Sequence, residues 1–144
     1  MRFACLVGAI SAGASEGECA EFAEMGELLG IAHQLDNDAH DLYYLVESAD
    51  ASPGALVERN VKTDLARGKK TLPIVLAASI NESLQENRDP SDEENQENMQ
   101  ALNEGIMTTW AISLLYRERA KDLSHAISLR KSLAPELRLL LGFE

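Results

Sequence analysis

Residues 19–46, CAEFAEMGELLGIAHQLDNDAHDLYYLV, decide the fold class. Apolar side chains recur at Phe22, Met25, Leu28, Leu29, Ala32, Leu35, Ala39, Leu42, Leu45 and Val46, the period of one buried helix face. The expected element is a long central rod. It has a defined start, because Ser15 followed three residues later by Glu18 reads as a capping box after the break at Gly13 to Gly17. Ahead of it, residues 2–14 read as a short helix of small side chains. Behind it, SADASPG (48–54) reads as a breaker cluster, Lys62 to Gly68 as one further turn, and Pro73 as the opening of an apolar helix through Leu84. Residues 85–98 form an acidic connector around Pro90. Met99 to Leu133 is again helical in period, with a kink expected at Gly105, and Pro135 begins a terminal helix that ends at Gly142. No segment alternates with period two for long enough to make a strand. The fold expected is an all-α, antiparallel helix bundle, one helical domain over residues 1–144.

Composition agrees with that class and narrows the function. The chain has 144 residues, 45% hydrophobic and 26% charged, and its aromatics are only Trp 1, Tyr 3 and Phe 3, so the core must be Leu, Ala, Ile and Val. A formal charge of −11 repels a phosphate backbone, which excludes generic nucleic-acid binding. The charge is uneven, since residues 82–104 carry eight carboxylates and one Arg. Small anionic ligands therefore remain compatible with the rest of the chain. Cys5 and Cys19 have no metal-ligand or CxxC spacing and read as reduced thiols. Arg2 followed by Phe3 to Ala14 imitates a signal peptide, but the Gly and Ser content of GAISAGAS makes a poor apolar region and a good close-packing helix face. No stretch reaches the roughly 18 apolar residues of a membrane span, and a cytoplasmic location is expected.

Two segments carry chemistry. In HQLDNDAHD (33–41) three carboxylates, Asp36, Asp38 and Asp41, stand with Asn37 on two helical turns. Asn37 and Asp41 share a face, with Asp38 about 100° around and Gln34 one turn earlier. Oxygen donors at that pitch suit Mg²⁺, which keeps several waters and binds through one or two carboxylates plus substrate phosphates; an acidic solvent face gives the same pattern. His33 and His40, seven apart, suggest a weaker transition-metal site. The second segment, RNVKTDLARGKKTLP (59–73), gathers five cations and one acid in an otherwise acidic chain. Such a cluster captures diphosphate oxygens, or pairs as a basic surface loop with the acidic stretch. It is not a P-loop, because the glycine spacing is absent.

Together the segments resemble the C-terminal half of the trans-isoprenyl diphosphate synthases, which share G-x-x-L-G-x-A-F-Q-x-x-D-D-x-x-D and G-K-x-x-G-x-D-L-x-x-G-K-x-T-x-P. The matching stretches are GELLGIAHQLDNDAHD (26–41) and DLARGKKTLP (64–73), joined by GAISAG (8–13) and a Tyr116/Ala120/Leu123 pattern, so that the likeness spans nearly the whole chain. The resemblance implies a partial isoprenoid synthase-type fold. In that fold two Asp-rich helices hold roughly two or three Mg²⁺ ions on an allylic diphosphate, whose ionisation gives an allylic cation that isopentenyl diphosphate then attacks. Position by position, it assigns Asn37, Asp38 and Asp41 to the metal, Asp38, Asp41 and Lys69 to catalysis, and Gln34, Arg59, Lys62 and Lys69 to substrate.

The departures are equally specific. Asn37 stands where the second motif has its first Asp, His33 where Phe is usual, Lys62 where Gly is, and Arg59 where the first Gly-Lys pair has Lys. No first Asp-rich motif is found, since Asp89-Pro90-Ser91-Asp92 has the spacing but sits in a polar, proline-bearing loop; the Lys-Thr pair expected ahead of GAISAG falls before Met1. The expected protein is thus a truncated or split polyprenyl diphosphate synthase. A homodimer, or a subunit bearing the first Asp-rich motif, would complete it. The alternative is a non-catalytic interaction or regulatory module of the same family.

Overall fold

A computed structural model describes residues 1–51, 69–85 and 92–130, and among these every regular element is helical. Helix α1 spans Arg2–Ser11. It ends in a turn that only a residue tolerant of positive φ can make: Gly13 has φ of 72°, its N–H donates to Ile10 O, and the next N–H, of Ala14, reaches back to Ala9 O. That pair of backward bonds satisfies carbonyls which the helix end would otherwise orphan. Two residues later the chain re-enters a helix through the expected capping box. The Ser15 N–H donates to Glu18 Oε2 at 2.8 Å, and the Glu18 N–H returns to Ser15 Oγ at 3.4 Å.

Helix α2 is Glu16–Ala51, helix α3 is Leu72–Ile80, a single 3₁₀ turn covers Glu82–Gln85, and helix α4 is Asp92–Arg130. Three boundaries differ from the sequence expectation. The rod does not stop at Val46 but continues to Ala51, because Ala49 and Ala51 favour a helix while Ser48 and Asp50 only weaken one; Pro53 and Gly54 lie outside the described residues. Helix α3 ends at Ile80 rather than Leu84, where Asn81 turns extended at φ −131° and ψ 107°. Helix α4 starts at Asp92, seven residues before Met99, since carboxylates in a first turn favour a helix N-terminus. It runs through Gly105 without interruption. The turn expected at 62–68 and the terminal helix expected at 135–142 lie outside the described residues.

The described residues form two compact units, and α2 and α4 contribute to both. The first holds residues 1–33 and 113–130. Here α1 runs antiparallel to α2, with Arg2 Nη1 2.6 Å from Glu27 Oε2, and Cys5 so close to Gly26 that a Cβ there would stand 2.7 Å from its Sγ. The close-packing face expected of GAISAGAS is not seen: in that stretch only Ala9 is buried, Gly8 has open space at its Cβ position, and the close approach lies instead at Cys5 and Gly26. Opposite, Met25 and Leu28 bury against Ala120, flanked by Phe22, Leu29, Tyr116 and Leu123. Ser113 Oγ, fully buried, donates to Ala32 O at 3.0 Å, while Arg119 lies 3.7 Å from Glu24. These pairings run in opposite senses along the two helices, so α2 and α4 are antiparallel in this unit.

The second unit holds residues 34–51, 69–85 and 92–112. Its core is Ala39, Leu42, Ala77, Ala101, Leu102 and Ile106, with Tyr43, Ile74, Leu84, Met99 and Trp110 packed around it. Small side chains bring the helices close. At Gly105 a Cβ would collide with the carbonyl oxygen of Pro73 and stand 3.1 Å from the backbone nitrogen of Ala77. The glycine that reads as a kink in sequence is a crossing point in space.

Candidate functional site

The Asp-bearing turns of α2 lie in the second unit, and the core fixes their orientation. Ala39, between Asp38 and Asp41, is wholly buried, as is Leu42. A helix that turns those residues inward must present others outward. Asn37, His40 and Asp41 are accordingly exposed, and Asp36 and Asp38 are half-buried. The structure joins two of the candidate residues directly: Gln34 Nε2 donates to Asp38 Oδ1 at 2.7 Å, one helical turn apart.

On the neighbouring turn His40 Nδ1 lies 2.8 Å from the carbonyl oxygen of Asp36. A carbonyl only accepts, so Nδ1 is the donor in this contact. The ring stands edge-on to Trp110 with centroids 5.3 Å apart, and Tyr43 closes on the same indole at 5.5 Å. Sequence reasoning did not find this aromatic group. Trp110 stands 67 positions from Tyr43 and 70 from His40 in the chain, and only the antiparallel pairing of α2 with α4 brings it to them.

Lys69 is exposed, three residues before α3. It shares the unit with Asp38 because Ala77 of α3 and Ala39 of α2 meet in one core. Thr71 takes the N-cap position of α3, yet its hydroxyl caps nothing: Oγ1 is buried and has no hydrogen-bond partner. Arg59 and Lys62 lie outside the described residues. Among the described residues no group of three or more His, Cys, Asp or Glu side chains is placed to hold a metal ion. The His33 and His40 pair therefore finds no third ligand there. No helix among the described residues is long and apolar enough to cross a membrane.

The polyprenyl synthetase family matches residues 1–107 of the chain. The chain belongs to the polyprenyl synthetase family. The match takes in α1, the Asp-bearing turns of α2, the cationic segment and α3 together. It ends inside α4, so the Tyr116/Ala120/Leu123 pattern lies beyond it. No curated protein and no solved structure matches the chain. Membership agrees with the all-α fold of the described residues, and it places the chain among prenyl transferases.

Proposed function

We propose that this chain is the C-terminal half of a split or truncated polyprenyl diphosphate synthase, contributing the second Asp-rich motif and the diphosphate-binding cations to a site completed by another segment or subunit. The observation that carries the reading is the family match, because one contiguous stretch includes both residues 33–41 and residues 59–73. The donor chemistry fits Mg²⁺: the carboxylates of Asp38 and Asp41 and the amide oxygen of Asn37 are hard oxygen ligands on successive turns of one helix. Bound there, Mg²⁺ would supply charge neutralisation for a departing diphosphate.

The chain's own residues do the rest. Lys69, with Arg59 and Lys62, binds diphosphate oxygens, and as the allylic C–O bond breaks these cations stabilise the negative charge that develops on the leaving group. The electron pair of the isopentenyl diphosphate double bond then forms the new carbon–carbon bond to the allylic cation, and loss of a proton restores an alkene. One helix face supplies ligands from one side only, so closure requires the first Asp-rich motif from elsewhere. Apolar surface is available for such a partner. On α1, Phe3, Val7 and Ile10 stand on one face and are exposed, Phe3 by 77%.

Prenyl transfer tests the reading. The chain is incubated with Mg²⁺, an allylic diphosphate and isopentenyl diphosphate, alone and with an N-terminal half bearing an Asp-rich motif. Turnover is expected only in the mixture, with at least a hundredfold loss for Asp38→Ala or Lys69→Ala. Asn37, which gives the metal a neutral oxygen where the family has a carboxylate, favours a second reading, an interaction module that has lost the chemistry. Diphosphate binding without turnover in any mixture would select that module.

A further inference from the structure

The resemblance assigns Gln34 to the allylic substrate, but its amide is turned along its own helix. Nε2 donates to Asp38 Oδ1 at 2.7 Å, a bond short enough to be charge-assisted. Asp38 is half-buried and Gln34 exposed. Asp38 is followed by the wholly buried Ala39, which anchors its backbone. The remaining freedom lies in the aspartate side-chain torsions. A donor one turn earlier selects among them.

We infer that Gln34 is a positioning residue: it holds the Asp38 carboxylate in the orientation that receives a divalent cation, rather than binding diphosphate itself. The inference rests on the proposed metal role of Asp38. It adds that the metal affinity of this turn is set from one turn away. Outer partners of ligating carboxylates act in this way, and their removal typically costs about tenfold or more in metal affinity. A residue contacting diphosphate directly would behave differently, because its loss would persist when the metal is saturating.

The experiment uses the full chain with Mn²⁺ as a spectroscopic substitute for Mg²⁺. Free Mn²⁺ is counted by electron paramagnetic resonance in wild type, Gln34→Leu and Asp38→Asn, with circular dichroism as the check on folding. Inorganic pyrophosphate affinity is then measured at saturating Mn²⁺. The expected result is Mn²⁺ binding by wild type, about tenfold weaker binding by Gln34→Leu, a greater loss in Asp38→Asn, and pyrophosphate affinity in Gln34→Leu that is unchanged once metal saturates. If Gln34→Leu binds Mn²⁺ as wild type does, the positioning role is wrong while the metal reading stands. If folded wild type binds no Mn²⁺, the metal reading fails and takes this inference with it.

Discussion

Thr71 sits where an N-cap residue belongs and does not act as one. A threonine hydroxyl at this position ordinarily accepts from the backbone N–H two or three residues on, and its loss costs about 1 kcal/mol. Here Oγ1 is buried without a partner, so the hydroxyl carries a desolvation cost that nothing offsets. Thr71→Val keeps the shape and removes the orphan. The expected outcome in chemical denaturation is a stability equal to wild type or higher by about 1 kcal/mol, and a loss of similar size would show that the hydroxyl caps α3 after all. The residue scale also marks where sequence reading reaches its limit. Ser15 and Glu18 were legible because a capping box is local and its geometry follows from spacing. The bond from Gln34 to Asp38 was latent in the i,i+4 spacing, but the choice between neighbour and substrate is a matter of rotamer, which spacing does not encode.

At the scale of elements, glycine has opposite meanings at two places. Gly17, in the first turn of α2, has open space around its Cβ position, whereas Gly105 has the backbone of Pro73 and Ala77 against it. Gly17→Ala should therefore stabilise by about 0.5–1 kcal/mol through backbone entropy. Gly105→Ala, which on an isolated helix would help by a similar amount, should cost about 2–3 kcal/mol because backbone atoms cannot yield. Denaturation midpoints of the two variants check both signs, and two stabilising changes would mean that α3 does not cross α4 at Gly105. The existence of α1, α2, α3 and α4 was readable, α2 and α4 from apolar period, α1 from its run of small side chains and α3 from Pro73 at its first turn. Their ends were not. Helix α2 passed through Ser48 and Ala49, and α4 began within the acidic stretch, because polar composition describes solvation and does not by itself stop a helix. The crossing at Gly105 was invisible for a different reason: it depends on a partner helix about thirty residues away.

Across the whole molecule, two chemically unlike segments carry the proposed function. The carboxylates belong to α2 and the cations precede α3. Family membership covers both, and the shared core of Ala39 and Ala77 puts α2 and α3 in one unit. The fold class followed from the apolar period, and the candidate residues from the resemblance of two motifs to those of the family. Nothing in the chain's pattern identifies the proposed partner, because a partner's identity is written in a complementary surface rather than in this one. Large apolar side chains stand exposed on α1 and also on α4, where Leu114 and Leu115 are 57% and 69% accessible. Exposed side chains of this size on a helical unit are available for association.

The central claim is that Asp38 and Lys69 serve one diphosphate, and a double-mutant cycle on Mg²⁺-dependent pyrophosphate binding by the full chain measures it. Calorimetry of wild type, Asp38→Ala, Lys69→Ala and the double variant should show about a tenfold loss for each single change and little further loss in the double, a coupling of about 1.4 kcal/mol. Losses that simply multiply to about a hundredfold in the double variant, or no loss in either single one, would contradict the account.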